Sequence, residues 1–95
     1  MNLSPKQVEV LLTVSAKNED GSKVDLDQII ERQSYETNKP SIQFIVRNLV
    51  QKKLIVKEGT EVRNDRRKVL FKATPLGEKF AEWNRPKTLK ETLVE

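Results

Sequence analysis

Apolar positions in the first half of the chain recur with a helical period. Val8, Leu11, Leu12 and Ser15 mark a first helix that opens at Ser4-Pro5-Lys6-Gln7. There Ser stands at the N-cap, Pro in the first turn and Gln at the third position, the arrangement of a capping box, with Leu3 and Val8 spaced to staple it. Asn18-Glu19-Asp20-Gly21-Ser22 is a polar cluster of turn formers that ends this helix. Asp25 and Gln28 repeat the cap pattern for a second helix with Leu26, Ile29 and Ile30 on one face, stopping near Gln33-Ser34. Lys23-Val24 just before it leaves room for a short strand. Asn38 caps a third helix, in which Pro40 is tolerated because it lies in the first turn. Ile42, Ile45, Val46 and Leu49 form its apolar stripe, and Lys39, Gln43, Arg47 and Gln51 occupy the opposite face. Phe44 falls near the border and reads as a core-edge residue, contact with a thymine methyl being the alternative.

Beyond Lys53 the period changes. Leu54-Ile55-Val56-Lys57 and Lys68-Val69-Leu70-Phe71-Lys72 are β-branched and aromatic runs on either side of a polar stretch, which predicts a hairpin. Its loop is expected near Arg63-Asn64-Asp65-Arg66-Arg67. Thr74-Pro75 then opens a fourth helix, with Leu76, Phe80 and Trp83 expected on the buried side and Arg85-Pro86 ending it. Three helices, a basic two-stranded ribbon and a further helix predict an α+β, mostly α, winged helix-turn-helix. Residues 1–84 would form this domain. Residues 85–95 would be a C-terminal extension whose Leu89, Leu93 and Val94 suit a dimerisation helix.

Composition narrows the function. Ninety-five residues make one domain with a small core, at 36% hydrophobic and 34% charged residues. Between Lys39 and Lys72 stand ten Lys/Arg and three acids, a net +7 against +4 for the whole chain, which leaves −3 for the remainder. Such an asymmetry is the footprint of a protein that lays one face on a polyanion. No apolar run is long enough to cross a membrane and the N-terminus does not read as a signal peptide, which points to the cytoplasm. With no cysteine and no histidine there is no disulfide, no Ser-His or Cys-His pair and no familiar zinc set. Glycines at 21, 59 and 77 are too scattered for a phosphate loop. An enzyme is therefore not expected, and neither a metal nor a cofactor is implied.

Ser41-Ile42-Gln43-Phe44-Ile45-Val46-Arg47-Asn48-Leu49-Val50-Gln51-Lys52-Lys53-Leu54-Ile55 resembles the recognition helix of the MarR-type winged-helix regulators and its exit into the wing, which usually ends in KKGLI. Asp65-Arg66-Arg67, separated by six residues from Thr74-Pro75-Leu76-Gly77, is similar to that family's wing signature. The resemblance covers roughly residues 24 to 80. It implies a wing arginine that enters the minor groove, here Arg67, held by an aspartate, here Asp65. This chain departs from the pattern in a longer turn at Ser34–Asn38, a longer ascending arm at Leu54–Asp65 and little sequence beyond the module on either side.

On this reading the partner is double-stranded DNA, bound by a homodimer. Lys39, Ser41, Gln43 and Arg47 are the major-groove candidates, since Gln pairs with adenine, Arg with guanine and Ser with several bases. Arg63, Arg66, Arg67 and Lys68 cluster at the expected wing tip, where self-repulsion argues against a structural purpose. Lys52 and Lys57 suit phosphate contacts, and Tyr35 is expected to pack in the lengthened turn. Two rivals remain: a winged-helix protein-interaction module within a transcription or replication assembly, and a protein that coats DNA without sequence preference. The sequence names no operator and no effector.

Overall fold

The structure is a computed structural model that describes residues 2–84. The expected extension at 85–95, with Leu89, Leu93 and Val94, lies outside the described residues. In chain order the elements are α1 (Pro5–Ala16), β1 (Val24–Asp25), α2 (Leu26–Glu31), α3 (Lys39–Gln51), β2 (Ile55–Arg63), β3 (Arg66–Ala73) and α4 (Pro75–Trp83). This is an α+β winged helix-turn-helix. The three strands form one antiparallel sheet in the order β1-β3-β2.

The caps read from the sequence are present. Ser4 and Gln7 exchange bonds across the start of α1, Asp25 and Gln28 do so across α2, and Asn38 and Thr74 accept from Ser41 N–H and Gly77 N–H. The apolar stripes meet in one core: Val10, Leu11 and Val14 of α1, Ile29 of α2, and Ile42, Val46 and Leu49 of α3 are buried with Leu54, Ile55 and Phe71 of the hairpin base. The long turn between α2 and α3 is tied to α1. Gln33 donates to the Ile29 carbonyl at 2.7 Å and to Thr13 Oγ1 at 3.3 Å, Ser34 donates to Glu9, and the Lys6 ammonium stands 5.0 Å from the centre of the Tyr35 ring. Tyr35 thus packs in that turn as expected, and α1 fixes the angle at which α3 leaves it.

Four expectations are corrected. The hairpin is longer than its apolar runs, because its outer stem projects into solvent and is held by backbone pairing rather than by alternating side chains. Its loop is only Asn64-Asp65, both at positive φ (55° and 62°), which is the conformation of a type I′ turn. The buried side of α4 is not the Leu76–Phe80–Trp83 row: Gly77 and Ala81 face the core, Phe80 is partly buried, and Trp83 is 78% exposed. Phe44 is not a core-edge residue but is 63% exposed.

The exit of α3 is a Schellman turn, with Lys53 N–H donating to Val50 and Leu54 N–H to Leu49, both at 3.0 Å. Lys53 holds the left-handed position, φ 63°, where KKGLI has its glycine. An L-residue there costs about 1–2 kcal/mol, partly offset by the larger unfolded-state entropy of glycine. Lys53→Gly is therefore expected to stabilise the domain by about 0.5–1 kcal/mol, read as a higher urea midpoint at unchanged slope. A lower midpoint would show that the Lys53 side chain contributes more than its backbone costs.

Candidate nucleic-acid interface

The outer face of α3 and the inner face of the wing enclose an open cleft of about 470 Å³. Lys39, Gln43 and Arg47 line it from α3, Lys57 from β2, and Arg66, Arg67 and Lys68 from β3. These positions are far apart in sequence. They converge because burial of Ile42, Val46 and Leu49 turns the polar face of α3 outward, while the antiparallel register sets Arg67 opposite Val62 and Lys68 opposite Glu61 on the neighbouring stem. Two acids also line the cleft, Asp25 and Asp27, against six Lys/Arg. Both acids are engaged: Asp25 with Arg63, and Asp27 with Lys68. Lys39, Arg47, Lys57, Arg66 and Arg67 carry no ion pair among the described residues. The cleft carries a strip of positive charge together with one amide, Gln43, and the apolar Leu26, Val46, Val50, Val69 and Phe71 complete its lining.

The sequence-predicted residues divide between this cleft and other places. Ser41 lies in the first turn of α3, its N–H on the Asn38 cap, in a shallow hollow with Tyr35 and Phe44 rather than in the cleft. Lys52 is the C-cap of α3 and does not line the cleft, whereas Lys57 does. Asp65 sits exposed in the wing turn, and no side-chain bond joins it to Arg67 among the described residues.

Arg63 departs most from expectation. It is not a free tip cation but the closing residue of β2, and the fold makes direct use of it. Its guanidinium donates to Asp25 Oδ2 at 2.9 Å, Gln28 Oε1 at 3.0 Å, the Lys23 carbonyl at 3.0 Å and Glu61 at 3.3 Å. The Asp25 bond, with Glu61 in support, raises the guanidinium above its already high ordinary pKa. Sequence reasoning missed this role because Asp25 and Arg63 stand 38 residues apart. The one local hint was a capping aspartate with a second oxygen still to satisfy.

Lys68 is also partly committed. Its bond to Asp27, joined by the positive charge of Lys68, Lys39 and Arg66, holds the Asp27 carboxyl below the ordinary carboxylate range against a smaller effect of burial. Asp27 is therefore anionic at neutral pH and acts as an internal counterion beside the strip.

The fold itself occurs in solved structures. MepR of Staphylococcus aureus in a complex with DNA superposes with a TM-score of 0.68 at 26% identity, covering 97% of this chain and 64% of that one. The fold is that of the MarR-type winged-helix regulators. AF1382 of Archaeoglobus fulgidus (TM-score 0.66, 18% identity, 98% of this chain and 92% of that one) shares the MarR-type fold. So does BpsR of Bordetella bronchiseptica (0.64, 22%, 97% and 64%). The chain thus spans 64% of the length of the MepR and BpsR structures it matches. The sequence matches no family model and no curated protein. Within the MarR-type fold, Thr74-Pro75-Leu76-Gly77 acquires a physical meaning. Thr74 caps α4 and donates to the Lys53 carbonyl at 2.6 Å, and Gly77 lets the helix rest on Leu54. No helix among the described residues is long and apolar enough to cross a membrane, and no group of three or more His, Cys, Asp or Glu there is placed to hold a metal ion.

Proposed function

We propose that this protein is a transcription regulator that binds double-stranded DNA with sequence preference, α3 lying in the major groove and the wing in the flanking minor groove. The observation that carries the reading is the convergence of α3 and wing cations on one cleft whose acids are already paired. The DNA-bound state of the MepR neighbour supports it. Gln43 and Arg47 are the base-reading candidates from the cleft side of α3, with Ser41 at the helix start. Lys39 completes the major-groove set, Lys68 contacts the duplex from the wing, and Lys57 contacts phosphate, with Lys52 on the C-cap as a peripheral contact. Arg66 and Arg67 enter the minor groove, whose narrow stretches attract arginine. Arg63 we reassign from DNA contact to wing support. A role for Asp65 as the orienting partner of Arg67 would require its side chain to move on binding. We read the protein as a non-enzymatic homodimer acting on a pseudo-palindromic site. Trp83, a large apolar side chain left exposed at the end of α4, is consistent with a paired surface.

The test is fluorescence-anisotropy binding over a salt series, with enrichment of preferred duplexes from a random pool. Replacing Arg66 and Arg67 together by Ala should reduce the salt slope by about two, one for each phosphate-neighbouring charge lost. The same loss of charge at Lys79, on α4 outside the cleft, should leave the slope unchanged. An enriched palindrome marks a specific pair, and an enriched asymmetric site marks a monomer. Salt-sensitive binding without enrichment would replace this reading with DNA coating, and no retention at low salt with a protein-interaction module.

A further inference from the structure

Phe44 stands on the far side of its helix from the core. At about 100° per residue, Ile42, Val46 and Leu49 define the buried direction, and Phe44 points roughly opposite to it, alongside Pro40 and Arg47. Its ring is exposed, and the hollow beside it, with Lys6, Tyr35, Pro40 and Ser41 in the lining, leaves it uncovered. The next positions around the helix, Gln43 and Arg47, line the basic cleft. The ring therefore sits on the outermost ridge of α3, in the N-terminal half of the helix and beside the polar side chains already read as base contacts.

We propose that Phe44 is a specificity-determining residue that packs on the C5-methyl group of a thymine. The inference rests on the reading of α3 as the helix in the major groove. A helix fills that groove, so the residues on its outer ridge reach deepest, and those in its N-terminal part meet base edges. Base edges there present amino groups, carbonyls and ring nitrogens, with the thymine methyl as the apolar exception. A phenyl ring pressed on the polar edges would strip their water without returning a hydrogen bond. Against the methyl it removes apolar surface from water on both sides. Phe44 thus disfavours other bases as much as it favours thymine. Its surroundings suit this occupant better than an apolar protein partner, because Arg47, the neighbouring position around the helix, carries the basic cleft up to it, and Lys6 stands over Tyr35 in the adjoining hollow, where Glu36 is the one acid in the lining.

Uracil differs from thymine only in lacking the C5-methyl, which makes the contact separable from every other. The full chain is used to select its preferred duplex, each thymine of which is then replaced in turn by uracil. Binding is measured for the wild type, Phe44→Ala and Phe44→Leu. Uracil at one position, or at its symmetric pair, should weaken the wild type by roughly three- to fivefold, the weight of one buried methyl. The same uracil should leave Phe44→Ala unaffected and weaken Phe44→Leu by an intermediate factor. Since the ring is exposed, the thermal midpoint of both variants should match that of the wild type. Uracil penalties equal in wild type and Phe44→Ala at every position would overturn this inference while leaving DNA recognition by α3 in place. A wild-type chain that retains no duplex would remove the recognition reading and this one with it.

Discussion

Replacing Gly77 by alanine is expected to lower the stability of the domain by about 3 kcal/mol, the upper part of the range for forcing atoms into a packed site. A β-carbon built on Gly77 would lie 1.9 Å from the Leu54 carbonyl oxygen and 2.9 Å from its carbon. Both are backbone atoms and cannot swing aside. That carbonyl is held in place, since it accepts from Thr74 N–H at 3.0 Å and from the Thr74 hydroxyl at 3.2 Å. The helix must therefore back away, which strains the Thr74 cap and lifts Ala81 and Phe80 off the core formed with α1. For a domain of this size the loss corresponds to a fall in Tm of roughly 12–24 °C. Gly59→Ala provides the contrast: its β-carbon would meet nothing within 4 Å, but its φ of 84° imposes a conformational cost of about 1–2 kcal/mol. If Gly77→Ala melts with the wild type, α4 does not rest on Leu54 as described.

The second large effect is expected at the foot of the wing. Asp25 is nearly inaccessible, with a side chain 5% exposed, and its partner Arg63 is 16% exposed. Removing one member of such a pair costs about 3–5 kcal/mol, because the survivor keeps its desolvation without its partner. Water reaching Arg63 from one side places Asp25→Ala near the lower figure, and the lost helix cap adds about 1 kcal/mol. Arg63→Ala should cost a similar amount, since it leaves the more buried partner with only its bond from Gln28 N–H at 2.9 Å but keeps the helix cap. A double-mutant cycle separates the pair from the cap: a coupling energy near zero would mean that the guanidinium and the carboxylate do not stabilise one another. In Arg63→Ala the wing amides should gain more in exchange rate than those of α1, whose increase reports only the loss of global stability.

What the sequence revealed, and what it hid, follows the range of the interactions concerned. The caps at Ser4, Asp25, Asn38 and Thr74 are contacts over three residues, written in adjacent letters, and all four are present. So is the stripe of α3, whose buried members repeat with the helix. The face of α4 was misread because close approach uses small side chains, and Gly77 and Ala81 carry almost no hydrophobic signal beside Trp83. The wing turn falls within the loop expected at 63–67, but its tightness is not legible, because Asn64-Asp65 lacks the glycine that usually announces a two-residue hairpin loop. For Phe44 bulk suggests the core edge, whereas its angular position relative to Ile42, Val46 and Leu49 faces it outward. The cations of the cleft were identified as a set, but their division between fold and surface was not. The ion pairs of Arg63 and Lys68 join residues 38 and 41 positions apart.

The Arg63 anchor also bears on how quickly the protein would engage DNA under the proposed function. With the stem of the ribbon tied to α2 and the turn closed by two left-handed residues, the hairpin loses its conformational entropy when the chain folds. On the same proposal, an incoming duplex would meet a surface already set in shape, and no slow ordering phase is expected between encounter and docking. Association would then be governed by diffusion and by the field of the cationic strip, and differences in affinity among duplexes would arise in the lifetime of the complex rather than in its rate of formation.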